Sequence, residues 1–286
     1  MPLLLLLQAA RDDHQNGLCC ALPFTFRFTV SLRCNICISP FIHYNWTIRA
    51  TPTTMAEYLT QSAQLHSARK QIAILDFGSQ YSHLIARRVR ETKVFCELYS
   101  CQVKADVLRG NQIVGIILSG GPASVYDPES PHVDPSVWAF IEEKGIPVLG
   151  ICYGMQELAH TFGGVVSPST EREFGRAMIN KTDKLCVVAD LLFKGVEHSQ
   201  MWMSHGDKVT KMPDGFIKIA HSDNSEHAAI ACAERKMFGI QFHPEVTHSV
   251  HGKELLSNFV VGVCQAPTDW NMKDIAEEFI NEVINS

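Results

Sequence analysis

The sequence predicts an α/β fold, with an open, mostly parallel central sheet flanked by helices and a smaller β-rich part. Short apolar runs at residues 72–75, 94–99, 114–118 and 148–151 alternate with helical patterns at 81–91 and 136–144, which is how a parallel sheet with helices on its faces is written. The run at 114–118 is apolar almost throughout (Val114, Ile116, Ile117, Leu118), as a strand buried on both faces must be. From residue 165 to 235 the pattern changes to β-rich segments separated by polar turns.

Residues 1–54 look foreign to the rest of the chain. The apolar run at 3–7 has no basic start and falls short of a signal-peptide core, and it is far too short to span a membrane. Phe24, Phe26, Phe28, Val30 and Leu32 alternate with polar residues in a strand-like manner. Asn45-Trp46-Thr47 matches a glycosylation acceptor, which matters only in a secreted chain. Cys34-Asn35-Ile36-Cys37 is a lone C-x-x-C without the second pair that a zinc site needs. The expectation is that the working protein begins near Met55. Residues 1–54 are then an appended or mis-assigned extension, poorly ordered, and 55–70 a polar lead-in to the domain at 71–266.

Composition excludes several function classes. The chain has 286 residues, 46% hydrophobic and 19% charged, with a net charge of −5. These are ordinary values for a globular protein, and they advertise neither nucleic acid nor an acidic membrane as a partner. The ten cysteines are scattered without a framework pattern, which fits a reduced cytosolic setting better than a disulfide scaffold.

Within the domain, residues 72–75 form a strand ending in the turn sequence Asp76-Phe77-Gly78-Ser79. The helix at 81–91 places Leu84, Ile85 and Val89 inward and Arg87, Arg88 and Arg90 mostly outward. The strand at 114–118 runs into Ser119-Gly120-Gly121-Pro122-Ala123-Ser124. This is either a tight turn or a source of a backbone N–H aimed at an oxyanion. A phosphate loop is excluded because Gly-x₄-Gly-Lys-Ser/Thr is absent.

The strand at 148–151 leads to Gly150-Ile151-Cys152-Tyr153-Gly154 and then to an apolar helical pattern. A residue flanked by glycines two positions away, between strand and helix, has the layout of a nucleophile elbow. Small flanking residues suit a strained turn that other backbone passes closely, and the start of the next helix favours negative charge on the sulfur. The competing reading is a buried core thiol, and spacing alone leaves both open. The N–H of Tyr153, just after the cysteine, would be the second oxyanion donor.

Two further segments carry polar chemistry. Met201-Trp202-Met203-Ser204-His205-Gly206-Asp207, taken in isolation, reads as a turn. Met237 to His243 reads as a strand ending in His243-Pro244-Glu245. A cysteine nucleophile needs a base and the base needs an orienting acceptor. His243 and Glu245, two apart on an extended segment, share a face and suit those roles. A closing helix is expected over 253–264.

Gly150-Ile151-Cys152-Tyr153-Gly154, Ser119-Gly120-Gly121-Pro122 and His243-Pro244-Glu245 together resemble the class I (triad) glutamine amidotransferases, whose sheet is flavodoxin-like. Ile74-Leu75-Asp76-Phe77-Gly78-Ser79-Gln80, Trp202-Met203-Ser204-His205-Gly206-Asp207 and Gln241-Phe242-His243-Pro244-Glu245 are similar to the amidotransferase domains of the GMP synthase family. The resemblance runs from Ile72 to the end of the chain. It implies that Cys152 attacks the side-chain amide of glutamine, with His243 as general base and acid and Glu245 orienting it. The N–H groups of Gly121 and Tyr153 would hold the oxyanion, Gln156 would contact glutamine, and Ser204, His205 and Asp207 would grip its amino-acid end.

The resemblance implies no cofactor for this chain. ATP and magnesium belong to an ATP pyrophosphatase (synthetase) domain or subunit, the expected partner, where XMP is aminated to GMP. Residues 267–286, with Trp270, Ile275, Phe279 and Val283, are similar to the connector before that domain. Alone, the chain is expected to hydrolyse glutamine weakly and not to make GMP. The alternatives are the glutaminase subunit of another amidotransferase, of the anthranilate or carbamoyl phosphate type, or a truncated module that only binds a synthetase.

Overall fold

The computed structural model describes residues 69–182 and 187–271. The strand pattern at 24–32, the C-x-x-C at 34–37, most of the lead-in and most of the connector lie outside the described residues. β1 (Lys70–Asp76), β2 (Cys96–Ser100), β3 (Gln112–Leu118) and β4 (Val148–Ile151) are joined through three helices, α1 (Ser82–Glu91), α2 (Ala105–Arg109) and α3 (Pro135–Lys144). The chain continues through α4 (Tyr153–Thr161), β5 (Val165–Lys181), α5 (Val187–Leu192), β6 (His198–Lys211), β7 (Ile217–His221), β8 (Ala229–Cys232), β9 (Met237–Ile240) and α6 (Gly252–Ser257).

Among the described residues these strands form one sheet in the order β2-β1-β3-β4-β9-β8-β7-β5-β6. The first five run parallel and the rest extend the sheet antiparallel. The predicted α/β fold is therefore observed, and the β-rich part is an extension of the same sheet. The parallel half has the flavodoxin-like order, which reverses direction between β1 and β3 and so opens a crevice at the carboxyl ends of those strands.

Residue alternation sorts the core into two layers. Ile72, Ile74, Ile117, Leu149, Ile151, Phe238 and Ile240 pack on one face with Ile85 and Val89 of α1 and Leu255 and Leu256 of α6. Ala73, Leu75, Ile116, Leu118 and Val148 pack on the other with Val137, Phe140 and Ile141 of α3 and Met155 and Leu158 of α4. Period-2 strands covered on both faces produce this division directly. Asp134 caps α3 by accepting from the Ser136 N–H at 3.0 Å, and Gly145 ends it at φ 61°.

Three expectations need correction. Ser204-His205-Gly206-Asp207 is not a turn but lies inside β6, because pairing with β5 outweighs the turn preference of Gly and Asp. The last parallel strand stops at Ile240. His243 leaves it to form an isolated antiparallel bridge with Trp202, its N–H donating to the Trp202 carbonyl at 2.9 Å. The closing helix is α6 followed by a π-helical turn (Asn258–Val263), which brings Cys264 over Gly115 of β3. There, an added Cβ would lie 2.4 Å from the Cys264 sulfur.

Phe238 is fully buried on β9 and meets Phe259 edge to face at 6.2 Å. Phe238→Ala is expected to cost about 3–5 kcal/mol of stability, read as a lower urea midpoint with an unchanged slope.

Candidate active site

The elbow is present and strained. Cys152 takes φ 52° and ψ −102° between β4 and α4, a backbone state that costs about 1–3 kcal/mol for a non-glycine residue. Close backbone approach explains the two flanking glycines. A Cβ on Gly150 would lie 2.3 Å from the Gly154 carbonyl oxygen, and one on Gly154 would lie 2.4 Å from that of Leu118. The Cys152 N–H donates to the Ile240 carbonyl at 2.8 Å, and the Gly154 N–H to that of Ser119 at 3.1 Å. The turn is thus tied to β9 on one side and to the β3 loop on the other.

A cavity of about 750 Å³ opens at the carboxyl ends of the parallel strands. Ser79 and Tyr81 enter it from the β1 loop, Gly121 and Ser124 from the β3 loop, and Cys152 and Gln156 from the elbow and α4. Ser204, His205 and Asp207 supply the β6 wall, and His243 faces them. Seven of the nine residues singled out from the sequence therefore line one space. Tyr153 and Glu245 are buried beside it. Tyr153 packs on Phe77 at 5.1 Å and donates its hydroxyl to the Pro131 carbonyl at 2.6 Å. A second cavity, of about 700 Å³, lies at the opposite ends of β3 and β4 against Arg109, Lys144 and Lys236. It contains none of these residues.

His243 stands over the elbow. A Cβ on Gly120 would lie 3.2 Å from the His243 Cε1 and 3.8 Å from the Cys152 Cβ, so thiol and imidazole share the small space above that glycine. His243 Nδ1 is 2.8 Å from Glu245 Oε1, a carboxylate with no exposed surface. Burial alone would pull the His243 pKa down. The Glu245 charge and the neighbouring Cys152 outweigh it and hold the pKa well above its ordinary value. The Cys152 thiol donates to the Ser204 carbonyl at 3.8 Å and accepts from Gln241 Nε2 at 3.6 Å.

The wall opposite is built from Asp207 and Gln156. The Asp207 carboxylate accepts from the Ser124 hydroxyl at 2.5 Å and the Tyr126 hydroxyl at 3.0 Å, joining β6 to the β3 loop. Its carbonyl accepts from Gln156 Nε2 at 3.1 Å. His205 lines the cavity, yet its Nδ1 is 3.0 Å from the Asp207 carbonyl and its Nε2 is 3.1 Å from Glu173.

A model of the family described as glutamine amidotransferase class-I matches residues 73–263. The chain belongs to the class-I glutamine amidotransferases. It is 49% identical over 215 residues to a protein of Nostoc sp. named GMP synthase [glutamine-hydrolyzing], covering 75% of this chain and 38% of that one. Candida albicans and Wolinella succinogenes proteins of the same name are 50% and 48% identical, with 38% and 42% of their lengths covered. The chain thus spans well under half the length of these curated relatives. Among solved structures, a Thermoplasma acidophilum protein described as a GMP synthase subunit matches with a TM-score of 0.57 at 28% identity, covering 69% of this chain and 94% of that one.

Sequence reading missed several residues that position the lining of this cavity. Arg88, expected to face mostly outward, is only partly exposed and donates from Nε to the Glu245 carbonyl at 3.0 Å. Ser249 donates to the His243 carbonyl at 2.5 Å and accepts from the Trp202 N–H at 3.0 Å. Gln241 and Glu173 are buried and carried no role. None of these gives a local signal: apart from the Ser249–His243 bond, six residues apart, the partners are distant in sequence.

The raised His243 pKa makes a stability prediction. Its contribution is fully present below the unfolded value of about 6.5 and is lost as pH rises through the higher folded value. Urea midpoints of the wild type and Glu245→Gln, measured across pH, are expected to differ most at or below about pH 6.5 and to converge as pH rises through the higher folded value of His243. A difference independent of pH would contradict the pairing.

Proposed function

We propose that this chain is the glutaminase part of a GMP synthase, hydrolysing glutamine through Cys152, His243 and Glu245 and passing ammonia to a synthetase domain or subunit that aminates XMP with ATP. The observation that carries the reading is the strained elbow thiol sharing one cavity with His243, which is backed by the buried Glu245. The relatives' printed name supports the choice of GMP synthesis over anthranilate or carbamoyl phosphate synthesis.

In this reading Cys152 gives its proton to His243 and attacks the side-chain amide carbon of glutamine. The N–H groups of Gly121 and Tyr153 donate to the developing oxyanion at the start of α4, where the helix end carries partial positive charge. The tetrahedral species collapses as His243 protonates the leaving nitrogen, releasing ammonia and leaving a γ-glutamyl thioester. Water then attacks the thioester with His243 taking its proton, and glutamate leaves as the thiol is restored. Glu245 stabilises the imidazolium that forms in each half. Gln156, Ser204, His205 and Asp207 form the wall that binds the amino-acid end of glutamine.

Ammonia release from glutamine tests this. The purified chain is expected to release it slowly and to accelerate when a synthetase, ATP and XMP are added, with GMP formed. Cys152→Ala is expected to lose at least about 10³-fold in kcat in both settings. Undiminished release by Cys152→Ala would refute the nucleophile. Acceleration with an anthranilate-type or carbamoyl phosphate-type synthetase in place of the XMP enzyme would refute the acceptor.

A further inference from the structure

Glu173 is a buried carboxylate that the reaction above does not use. It stands on β5 where pairing with β6 resumes after an irregularity, Pro168 facing Asp207 and Glu173 facing His205. Its side chain is 10% exposed. Oε2 accepts from the Ser225 hydroxyl at 2.9 Å and lies 3.1 Å from His205 Nε2, and Oε1 accepts from the Ser222 hydroxyl at 3.2 Å. Burial pushes its pKa up, but His205 and the two serines more than offset this and hold it below the ordinary carboxylate range. A carboxylate given this many donors is a built site rather than a stray surface group.

The ring between Glu173 and the cavity has an unusual pair of neighbours. His205 Nε2 faces the Glu173 carboxylate and Nδ1 faces the Asp207 carbonyl oxygen at 3.0 Å, and both are acceptors. The ring is thus held between two acceptors, one at each nitrogen. The ring is 2% exposed, and Glu173 is the carboxylate in contact with it. The Asp207 carbonyl also takes the Gln156 side chain, and the Asp207 carboxylate takes Ser124 and Tyr126. A chain of contacts therefore runs from Glu173 through His205 to the wall of the cavity.

We propose that Glu173 is a positioning residue which, through His205, sets Asp207 and Gln156 where the amino-acid end of the substrate is held. The proposal rests on the glutaminase reading of this cavity. It assigns Glu173 to substrate binding and not to the chemistry at Cys152, from which it is separated by the β6 wall. Replacing the Glu173 carboxylate weakens the acceptor that holds His205 Nε2, so the ring is less firmly fixed against the Asp207 carbonyl and the wall loosens.

The test compares two electrophiles on the full chain. A diazoketone analogue of glutamine needs the amino-acid end to be held, whereas iodoacetamide needs only a reactive Cys152. Glu173→Gln keeps the volume but removes the charge and one of the two acceptor oxygens. It is expected to slow analogue labelling and raise KM for glutamine about tenfold or more, the weight of a charge-assisted hydrogen bond, while iodoacetamide alkylation stays within about twofold. Ser225→Ala, a milder change, is expected to shift analogue labelling in the same sense by less. In a His205→Asn background Glu173→Gln is expected to add nothing further, since its effect travels through His205.

Unchanged analogue labelling in Glu173→Gln overturns the proposal, as do effects of Glu173→Gln and His205→Asn that multiply. Equal loss of both reactivities also overturns it, marking Glu173 as a fold residue. A wild type that reacts with iodoacetamide but never with the analogue would bring down the glutaminase reading itself, and this proposal with it.

Discussion

The site depends on one strained residue. Cys152 at φ 52° turns the chain from β4 into α4 within a single position, and the contacts around it hold that conformation in place. The Cys152 N–H is taken by β9 and the Gly154 N–H by the β3 loop. The missing side chains at Gly150 and Gly154 let three backbone segments approach closer than any Cβ would permit. Strain of this kind persists only where the surrounding structure over-determines it. Here the constraint comes from the core itself, since Val148, Leu149 and Ile151 are fully buried and Tyr153 to Ala159 of α4 are buried on all sides.

The same constraint organises the proton-handling side. Because the elbow is tied to β9 at Ile240, the chain leaving β9 arrives beside the thiol. The bridge to Trp202 then halts His243 there, with Ser249 fastening its carbonyl and Arg88 that of Glu245. The His243–Glu245 pair is buried, so its mutual attraction is little screened. That is why Glu245 outweighs the burial that would otherwise keep the imidazole neutral. In the proposed reaction such a pair receives a proton and returns it without rearrangement.

Much of this was legible in the sequence, for reasons that are local. The parallel strands read as apolar runs because they are covered on both faces. The elbow read as glycine spacing because only glycine tolerates the contacts at Gly150 and Gly154. His243 and Glu245 read as a pair from their closeness in sequence, although the strand ends at Ile240 and a turn, not period-2 geometry, brings them together. What was not legible is set by partners far along the chain. Ser204 to Asp207 looked like a turn because polar residues and Gly206 favour one, and only pairing with β5 makes them strand. Glu173 carries no local signal, because only folding brings Ser222, Ser225 and His205 to it. Arg88 looked like a solvated helix charge until the Glu245 carbonyl came within reach.

The central claim is that the strained thiol forms a covalent bond to the glutaminyl group. Acid-quenching the chain during turnover of glutamine and mapping its peptides by mass spectrometry tests that most directly. The account predicts a γ-glutamyl thioester on the peptide carrying Cys152, absent from Cys152→Ala. Glutamine hydrolysed with Cys152 unmodified at every quench time, or an adduct on Cys96, Cys101, Cys232 or Cys264 instead, would contradict it.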